Sequence, residues 1–459
     1  MNKILFLSFI IVLLCSPSTY ASYEYADIIV EGIDDVMFLQ DNNINIDRTS
    51  VGPGGKPVNG KITAYVNQQE FELIRKYGYS VEWAPLQIRD KSSYRNNEAI
   101  GDSMLIWQNR YPEICNRIQI GTSVQDRPLW VLKISSDVNN SRPVPAVKFI
   151  GTMHGDEVVG LELQMLMIEN ILKGYEAEND TMRFLVDNTE MYFMPLMNPD
   201  GMALNRRGNA HGYDLNRNFP EGTAGDPDSV NPDLLPEIQA MIDFTAKHNF
   251  IISTNFHGGA LIANYLYDKD YDVPSGSYAA CPDDEHVTWL AYNYSVRNTP
   301  MFTNPSPSFP NGIVNGSRWY SISGGMQDWN YRYHNCLDIT LEVSVSKWPD
   351  YSTIPEFWSD NRESMFWYMF SAHRGIYGTV TDLATGEFLS AEIEIEGIDK
   401  IYYTDPDHGD YYRVLKPGVY NMTVSAEGYK PATITGIEVT DGTGVFKEAT
   451  EVNVLLESG

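Results

Sequence analysis

The sequence predicts an α/β fold with a mixed, largely parallel central sheet flanked by helices, an N-terminal α+β module and a C-terminal β-sandwich. Apolar runs at residues 146–150 and 250–256 have the continuous apolarity of strands that are covered on both faces. Segments of helical length separate such runs, which is typical of a largely parallel sheet. After Gly375 the helical periodicity stops and short alternating strands begin, which indicates a separate β domain.

Residues 22–95 are predicted to form the N-terminal α+β module. Strands and helices follow one another there in a βαββαβ order, with strands at 27–30, 44–46, 61–66 and 79–83 and helices at 34–40 and 68–77. No cluster of reactive side chains falls in this stretch. A structural or chaperoning appendage is therefore the simplest interpretation.

Residues 96–373 are predicted to form the central domain, and residues 374–459 the β-sandwich. The predicted central strands lie at 118–121, 129–135, 146–152, 190–195, 250–256 and 337–343. An aromatic-rich helix at 357–370 closes this domain. In the last segment, residues 391–396 alternate apolar and acidic side chains, and turn signals recur about every ten residues, as in a small β-sandwich.

Residues 1–21 have the pattern of a secretory signal, which predicts a secreted or periplasmic protein. Lys3 supplies the charge, residues 4–14 the apolar core, and residues 19–21 a cleavage site. This run is too short to span a membrane, and the rest of the sequence predicts no integral membrane association. Cys115, Cys281 and Cys336 then permit at most one disulfide and one free thiol, and no Cys-x-x-Cys pair exists to hold a metal.

The formal net charge of -28 over 459 residues argues against nucleic acid as a partner. It fits a secreted protein that attracts cationic ligands. Solubility alone is the alternative explanation.

Two apolar strands each end at a histidine. His154 and Glu157 follow the first strand, where a helix begins, and His257 follows the second. Because the carboxyl ends of neighbouring strands meet at one edge of the sheet, these three side chains can converge. Two imidazoles and one carboxylate leave a fourth position for water, the pattern of a catalytic zinc site. A capped helix start at residues 154–157 is the alternative interpretation.

Several other side chains have chemistry that could act beside such a metal. Asn216 and Arg217 can clamp a carboxylate, and an arginine upstream can stabilise an oxyanion. A surface or structural ion pair is the alternative for each of these arginines. The alternation in residues 337–343 places Glu342 on the polar face of a strand, either as a general base in a cleft or on a solvated surface. Residues 318–328 have the composition of a flexible, glycine-bearing loop with an aromatic tip, and an ordinary loop packed by its aromatic side chains is the alternative.

With these motifs in order, residues of roughly 100–372 resemble the M14 family of zinc metallocarboxypeptidases, nearer to its carboxypeptidase N/E/D processing branch than to its pancreatic branch. The segment after them resembles the transthyretin-like domain of that branch. The resemblance implies one Zn²⁺ per catalytic domain and the C-termini of peptides or proteins as partners. It leaves the oligomeric state open.

The resemblance also implies a role for each matching residue. His154, Glu157 and His257 match the metal ligands, and Glu342, fourteen residues after Asp328, matches the catalytic glutamate. Arg207, nine residues before Asn216, matches the arginine that polarises the scissile carbonyl. The remaining matches grip the substrate's terminal carboxylate or close over it, and they are Asn216, Arg217 and Tyr320.

Specificity follows from the same resemblance. Asp268, eleven residues after His257, and Gln327, after the Gly-Gly loop, occupy the positions that recognise a basic side chain in the processing branch. The expected substrate therefore ends in Lys or Arg. The alternative for Asp268 is a surface charge in an acidic, tyrosine-rich loop.

The N-terminus departs from that branch, which generally lacks a pro-domain. Residues 23–87 resemble in outline the pro-segment of other M14 enzymes, and the resemblance leaves open whether this module is removed, inhibitory or permanent. Two further functions stay as alternatives. One is a zinc amidase or murein peptidase on the same scaffold, which the Asn216 and Arg217 pair disfavours, and the other is a catalytically silent binding protein.

Overall fold

A computed structural model of the chain describes residues 23–47, 50–84, 94–221, 233–304, 306, 308–440 and 449–459. The predicted signal at 1–21 lies outside the described residues, as do residues 85–93 before the central domain. Within the described ranges, no helix combines the length and the apolarity that crossing a bilayer requires.

An eight-stranded mixed sheet flanked by helices forms the centre of the molecule, which confirms the predicted α/β class. Four of its seven neighbouring strand pairs are parallel and three are antiparallel. The strands lie across the sheet in the order Ile313–Asn315, Ala260–Tyr265, Leu337–Ser344, Phe250–His257, Ala146–Gly151, Glu190–Met194, Pro128–Ile134 and Cys115–Thr122. The sequence pattern misses the first two, because one is only three residues long and the other mixes in Ala and Asn, which are depleted in strands.

Helices cover both faces of this sheet, so its central strands are buried along their whole length. Every residue of Ala146–Gly151, Phe250–His257 and Leu337–Ser344 is buried. The face that carries Glu342 is therefore not solvated. Gly160 brings the helix Val159–Glu176 against Phe256, since a Cβ at Gly160 would lie only 2.2 Å from the Phe256 Cβ.

The other helices of this domain pack around the sheet or form short turns at its edge. The α-helices are Asn97–Arg110, Asp180–Asn188, Pro199–Leu204, Pro236–Thr245, Asp284–Arg297, Thr299–Phe302, Gly316–Trp319, Met326–His334 and Ile354–Phe370. The 3₁₀ turns are Leu215–Arg217, Pro310–Gly312, Tyr351–Thr353 and Ser371–His373.

The N-terminal module, defined here as residues 23–84, contains a three-stranded antiparallel sheet and two helices. The strands lie in the order Lys61–Asn67, Tyr23–Ile29 and Val81–Trp83, and the helices are Ile33–Asp41 and Gln68–Lys76. Val51–Gly52 and Lys56–Pro57 form a small separate hairpin around the 3₁₀ turn Pro53–Gly55.

The predicted strand at 44–46 is wrong, and with it the βαββαβ order. Only an isolated bridge joins Ile46 to Ala64. The segment is not paired along its length because it turns toward the central domain, where Asn45 donates to Asp214 and Ile46 accepts from Tyr320.

The C-terminal segment folds as two four-stranded sheets around one apolar core. The first contains Asp410–Arg413, Ile376–Asp382, Thr450–Glu451 and Val454–Leu456, and the second contains Tyr402–Tyr403, Glu392–Ile395, Gly418–Ser425 and Ala432–Val439. Cys115, Cys281 and Cys336 are all buried free thiols, so the permitted disulfide does not form.

Candidate metal centre

His154 and Glu157 lie in the connection between the strand Ala146–Gly151 and the helix Val159–Glu176. Both residues precede the helix, which begins at Val159, so the alternative of a capped helix start at residues 154–157 is wrong. The Glu157 amide donates to the His154 carbonyl over 3.1 Å, so the two side chains project from one tight turn. Gly155 allows this turn to pack closely, because a Cβ there would lie 2.2 Å from the Gly201 backbone.

His257 is the last residue of the strand Phe250–His257, and Glu342 lies directly opposite it in the parallel neighbour. On its other side the same strand pairs with Ala146–Gly151, with Phe256 opposite Gly151. The sheet register therefore delivers the two histidines, Glu157 and Glu342 to one edge.

The three predicted ligands meet at one point. The Nδ1 atoms of His154 and His257 lie 2.9 Å apart, and Glu157 Oε2 lies 2.9 Å from each of them. All three side chains are buried, and no other cluster of this kind occurs in the described part of the chain. Two imidazole nitrogens and a carboxylate oxygen form a donor set that suits Zn²⁺, so these residues fit the metal that the resemblance implies.

Asp214 orients the first histidine. Its Oδ1 lies 2.9 Å from His154 Nε2, so the Nε2 proton faces Asp214 and the Nδ1 lone pair faces the meeting point. Burial and the neighbouring His154 lower the pKa of His257 to about 4, which keeps that ring neutral. Neutral imidazoles are the form that binds a metal.

Glu342 lines the same small cavity as the three ligands. Burial, and then the charge of Glu157, raise the pKa of Glu342 to about 8. Its Oε2 makes no hydrogen bond to any described residue. Glu342 is therefore placed beside the metal position with one oxygen available to a water or a substrate.

Arg207 is buried beside the ligands and held by two carboxylates. Its Nε donates to Asp214 Oδ2 over 2.9 Å, and its Nη1 donates to Glu157 Oε1 over 3.2 Å. These contacts fix the guanidinium at the edge of the cavity that Glu342 also lines.

Asn216 and Arg217 lie on the 3₁₀ turn Leu215–Arg217, next to Asp214. Asn216 Oδ1 accepts from the Met326 amide over 2.9 Å, which leaves its Nδ2 as the donor that can face a ligand. Arg217 Nη2 donates to the Tyr320 hydroxyl over 3.1 Å. The structure thus brings together Asn216 and Arg217, which were expected to hold a terminal carboxylate, and Tyr320, which was expected to close over the substrate.

Asp268 is 1 % exposed, so the alternative of a surface charge is wrong. Its carboxylate lies between Gly316 and Gly325, where a Cβ would approach its oxygens to 2.1 Å and 3.3 Å. The same Cβ at Gly325 would lie 3.7 Å from Asn216 Oδ1, which puts Asp268 close to the expected carboxylate grip.

Gln327 is also buried, but its oxygen is already engaged. Its Oε1 accepts from the backbone amide and the hydroxyl of Thr340 over 3.1 Å and 2.9 Å. The amide therefore turns its Nε2 away from Thr340, and this donor has no partner among the described residues. Direct contact between the Gln327 oxygen and a basic side chain would require these two bonds to break.

The aromatic tip predicted for residues 318–328 is wrong, because Trp319 and Tyr320 are buried beneath the N-terminal module. Trp319 Nε1 donates to the Val51 carbonyl over 2.7 Å, and the Tyr320 hydroxyl donates to the Ile46 carbonyl over 2.7 Å. The sequence could not show this burial, because it depends on a partner surface about 270 residues away.

The module also reaches the metal ligands themselves. Lys347 Nζ bridges Asp47 Oδ2 of the module over 2.7 Å and Glu157 Oε1 over 3.0 Å. Tyr25 donates to Asp156 over 3.0 Å and accepts from Lys347. With the module in place the cavity at the ligands encloses only about 20 Å³, room for about one water.

A larger groove lies next to this cavity, between the module and the central domain. It encloses about 750 Å³ and is lined by Asn45 and Ile46 of the module and by Arg217 and Tyr320 of the central domain. Arg217 and Ile322 line both the groove and the small cavity, so the two adjoin there.

Three residues of this site were not predicted as functional: Asp214, Lys347 and Asp47. A carboxylate two residues before Asn216 is a signal that could have indicated Asp214. Lys347 and Asp47 carry no such signal, because each gains its place at the site only through the fold.

Comparison with known proteins agrees with this geometry. The family model described as zinc carboxypeptidase matches residues 102–364. The chain is 38 % identical to the catalytic chain of human carboxypeptidase N over 363 residues, which is 72 % of this chain and 79 % of that protein. It is 38 % identical to human carboxypeptidase D over 343 residues, but this spans only 24 % of the length of that relative.

Two solved structures share the fold. Carboxypeptidase A from Helicoverpa armigera superposes with a TM-score of 0.55 at 16 % identity, covering 76 % of this chain and 96 % of that one. Thrombin activatable fibrinolysis inhibitor superposes with a TM-score of 0.53 at 19 % identity, covering 76 % of this chain and 98 % of that one.

Proposed function

Because the chain belongs to the M14 family of zinc carboxypeptidases, we propose that it is a secreted enzyme that removes C-terminal residues, Lys or Arg by preference, from peptides or proteins. The convergence of His154, Glu157 and His257 next to Glu342 is the observation that carries this proposal. The secretory pattern of residues 1–21 supports the proposed location outside the cytoplasm.

His154, Glu157 and His257 would hold the zinc ion, which would supply an acidified water and polarise the scissile carbonyl. Glu342 accepts the proton of the attacking water on its carboxylate and returns it to the leaving amine. The Arg207 guanidinium, fixed by Asp214, donates to the oxygen on which negative charge develops. Glu342 and Arg207 line the same cavity, so both can reach one scissile bond.

Asn216 Nδ2 and Arg217 are the donors proposed to bind the terminal carboxylate of the substrate, and Tyr320 closes over the residue that leaves. A charged donor beside a neutral one suits a carboxylate. Because Asn216 and Arg217 line the cavity of the metal ligands, a substrate whose terminal carboxylate they bind can bring only its last peptide bond to Glu342. This arrangement supports an exopeptidase.

Asp268 is proposed to select a basic side chain. Its buried carboxylate lies near Asn216, and a cation gains more from such a charge than a neutral side chain does, because the surroundings are poorly solvated. Gln327 is proposed to act mainly by holding Thr340, two residues before Glu342 in the same strand.

The N-terminal module is proposed to keep the enzyme latent until it shifts. It closes the space at the metal ligands to about 20 Å³, far less than a peptide needs, and it engages both Tyr320 and Lys347. Substrate entry therefore requires the contacts of Asn45, Ile46 and Asp47 to break.

The test is a release assay on peptides of one sequence that end in Lys, Arg, Phe or Glu, with and without a zinc chelator. We expect release of the last residue, fastest for Lys and Arg, and none with the chelator. Release that survives chelation, or cleavage of internal bonds, would overturn the proposal.

A further inference from the structure

Asp328 lies on the first turn of the helix Met326–His334 and is only 4 % exposed. Its two carboxylate oxygens accept two successive backbone amides of the loop that carries Asp268. Oδ1 accepts from the Asp268 amide over 2.9 Å, and Oδ2 accepts from the Lys269 amide over 3.0 Å. The helix thereby holds the loop at the residue proposed to select the substrate.

The two acceptor bonds require a carboxylate. An asparagine side chain has one oxygen and one NH₂ group, so it can accept only one of the two amides and would turn a donor toward the other. An anion satisfies both amides at once. The Asp268 backbone is fixed further by its carbonyl, which accepts from the Ile322 amide over 3.3 Å.

The two hydrogen bonds from the loop amides to Asp328 determine where the Asp268 carboxylate lies. Asn264 Nδ2 donates to Asp268 Oδ1 over 3.2 Å, and Gly316 and Gly325 leave just enough room for the carboxylate between them. A rotation of the Asp268 backbone would drive its oxygens into one of these two segments. The position of the selecting charge therefore depends on the amides that Asp328 holds.

Asp328 also places a second ionisable carboxyl group close to Asp268. Burial, and then the nearby Asp268, raise the pKa of Asp328 to about 8. The positive charge of Arg332 acts on the Asp328 pKa in the opposite direction. The Arg332 guanidinium lies 4.1 Å from the centre of the Tyr267 ring and donates to the Lys269 carbonyl. A cationic side chain near Asp268 would relieve the remaining repulsion.

We infer that Asp328 is a positioning residue for substrate selection, which orients Asp268 toward the side chain of a C-terminal Lys or Arg. This inference rests on the proposed function. It predicts an effect on which residue is released, and not on the chemistry of hydrolysis.

The experiment compares Asp328→Asn, Asp328→Glu and the wild type on two peptides that differ only in a C-terminal Lys or Leu. In Asp328→Asn we expect the ratio of kcat/KM for Lys over Leu to fall at least about tenfold, through a higher KM for Lys with kcat nearly unchanged. Asp328→Glu keeps the charge and should retain part of the ratio. The matched control is Asp272→Asn, which removes one exposed charge from the same loop and should leave the ratio unchanged.

Two results would overturn the inference. One is an unchanged ratio in Asp328→Asn, and the other is an equal loss for Lys and Leu, which a purely structural role would give. Activity on the Leu peptide reports folding of the variant independently. A wild type that cleaves C-terminal residues without preferring Lys overturns the proposed specificity instead, and this inference with it.

Discussion

The Nδ1 atoms of His154 and His257 lie 2.9 Å apart, although 103 residues separate them in the chain. Two ring nitrogens at this distance, both touching one oxygen of Glu157, present lone pairs to a common point. A proton placed there can be shared by only two of these three atoms, whereas a divalent cation can accept a lone pair from both nitrogens and from the Glu157 oxygen. The site is therefore organised around a metal position, with Glu342 beside it.

Replacement of Glu342 by Gln is expected to abolish peptide release while zinc content stays at the wild-type level. The amide keeps the shape of the side chain but cannot accept the proton of the attacking water. General-base catalysis contributes about 10²–10⁴ in rate, so kcat should fall by at least roughly that factor. Glu356→Gln makes the same change at an exposed position and should leave kcat unaltered. An active Glu342→Gln variant would refute the role.

Replacement of Arg217 by Gln is expected to raise KM. The lost charge-assisted hydrogen bond to the terminal carboxylate is worth about 1.5–3 kcal/mol, or roughly a 10- to 150-fold change. The comparison uses a peptide with a free C-terminus and the same peptide amidated. Wild type should release nothing from the amidated peptide, and the exposed control Arg183→Gln should match wild type. Efficient cleavage of the amidated peptide would contradict the proposed grip.

Loosening the N-terminal module is expected to increase activity. The double variant Asn45→Ala and Asp47→Ala removes the side-chain contacts to Asp214 and Lys347. We expect kcat/KM to rise by about tenfold or more, because each buried polar contact holds the closed state by about 1 kcal/mol or more. Loss of zinc to a chelator should also become faster.

The control for this prediction is Asp34→Ala, an exposed carboxylate on a helix of the same module. It should leave both rates at the wild-type value. If the double variant is no more active than wild type and loses zinc no faster, the module does not restrict access to the site.

The affinity for a C-terminal Lys is expected to depend on pH. The pKa of Asp328 is raised to about 8 by burial and by Asp268, so its carboxyl is protonated below that pH and ionised above it. A substrate lysine stays cationic in this range. KM for the Lys peptide should therefore fall as the pH rises from about 6 to about 9, while KM for the Leu peptide stays flat. Asp328→Asn should remove the difference between the two profiles.

The central strands and the spacing of the site residues could be predicted from the sequence, because both depend on short stretches of the chain. The strands that end at Gly151 and His257 have continuous apolar runs, and the spacing of residues such as Arg207 and Asn216 matched a known family. The fold class and the positions of the three ligands followed from these features. The predicted strand at 44–46 is wrong because this segment pairs with its own module only through an isolated bridge, while the Asn45 side chain and the Ile46 carbonyl bond to the central domain.

The remaining features depend on contacts between distant segments. Lys347 gains its place because the fold sets Asp47 and Glu157 on either side of it, and neither neighbour can be read from the residues around Lys347. The burial of Asp268 likewise depends on Gly316 and Gly325, which give no sign in the sequence of facing a carboxylate.

Zinc-edge anomalous diffraction from crystals of the purified chain tests the central claim most directly. We expect one zinc peak about 2.0–2.1 Å from Nδ1 of both His154 and His257, with Glu157 as the third protein ligand and Glu342 beside the ion but not bound to it. Zinc bound elsewhere with these three residues unliganded, or no zinc at a site that zinc-saturated crystals could fill, would contradict the account.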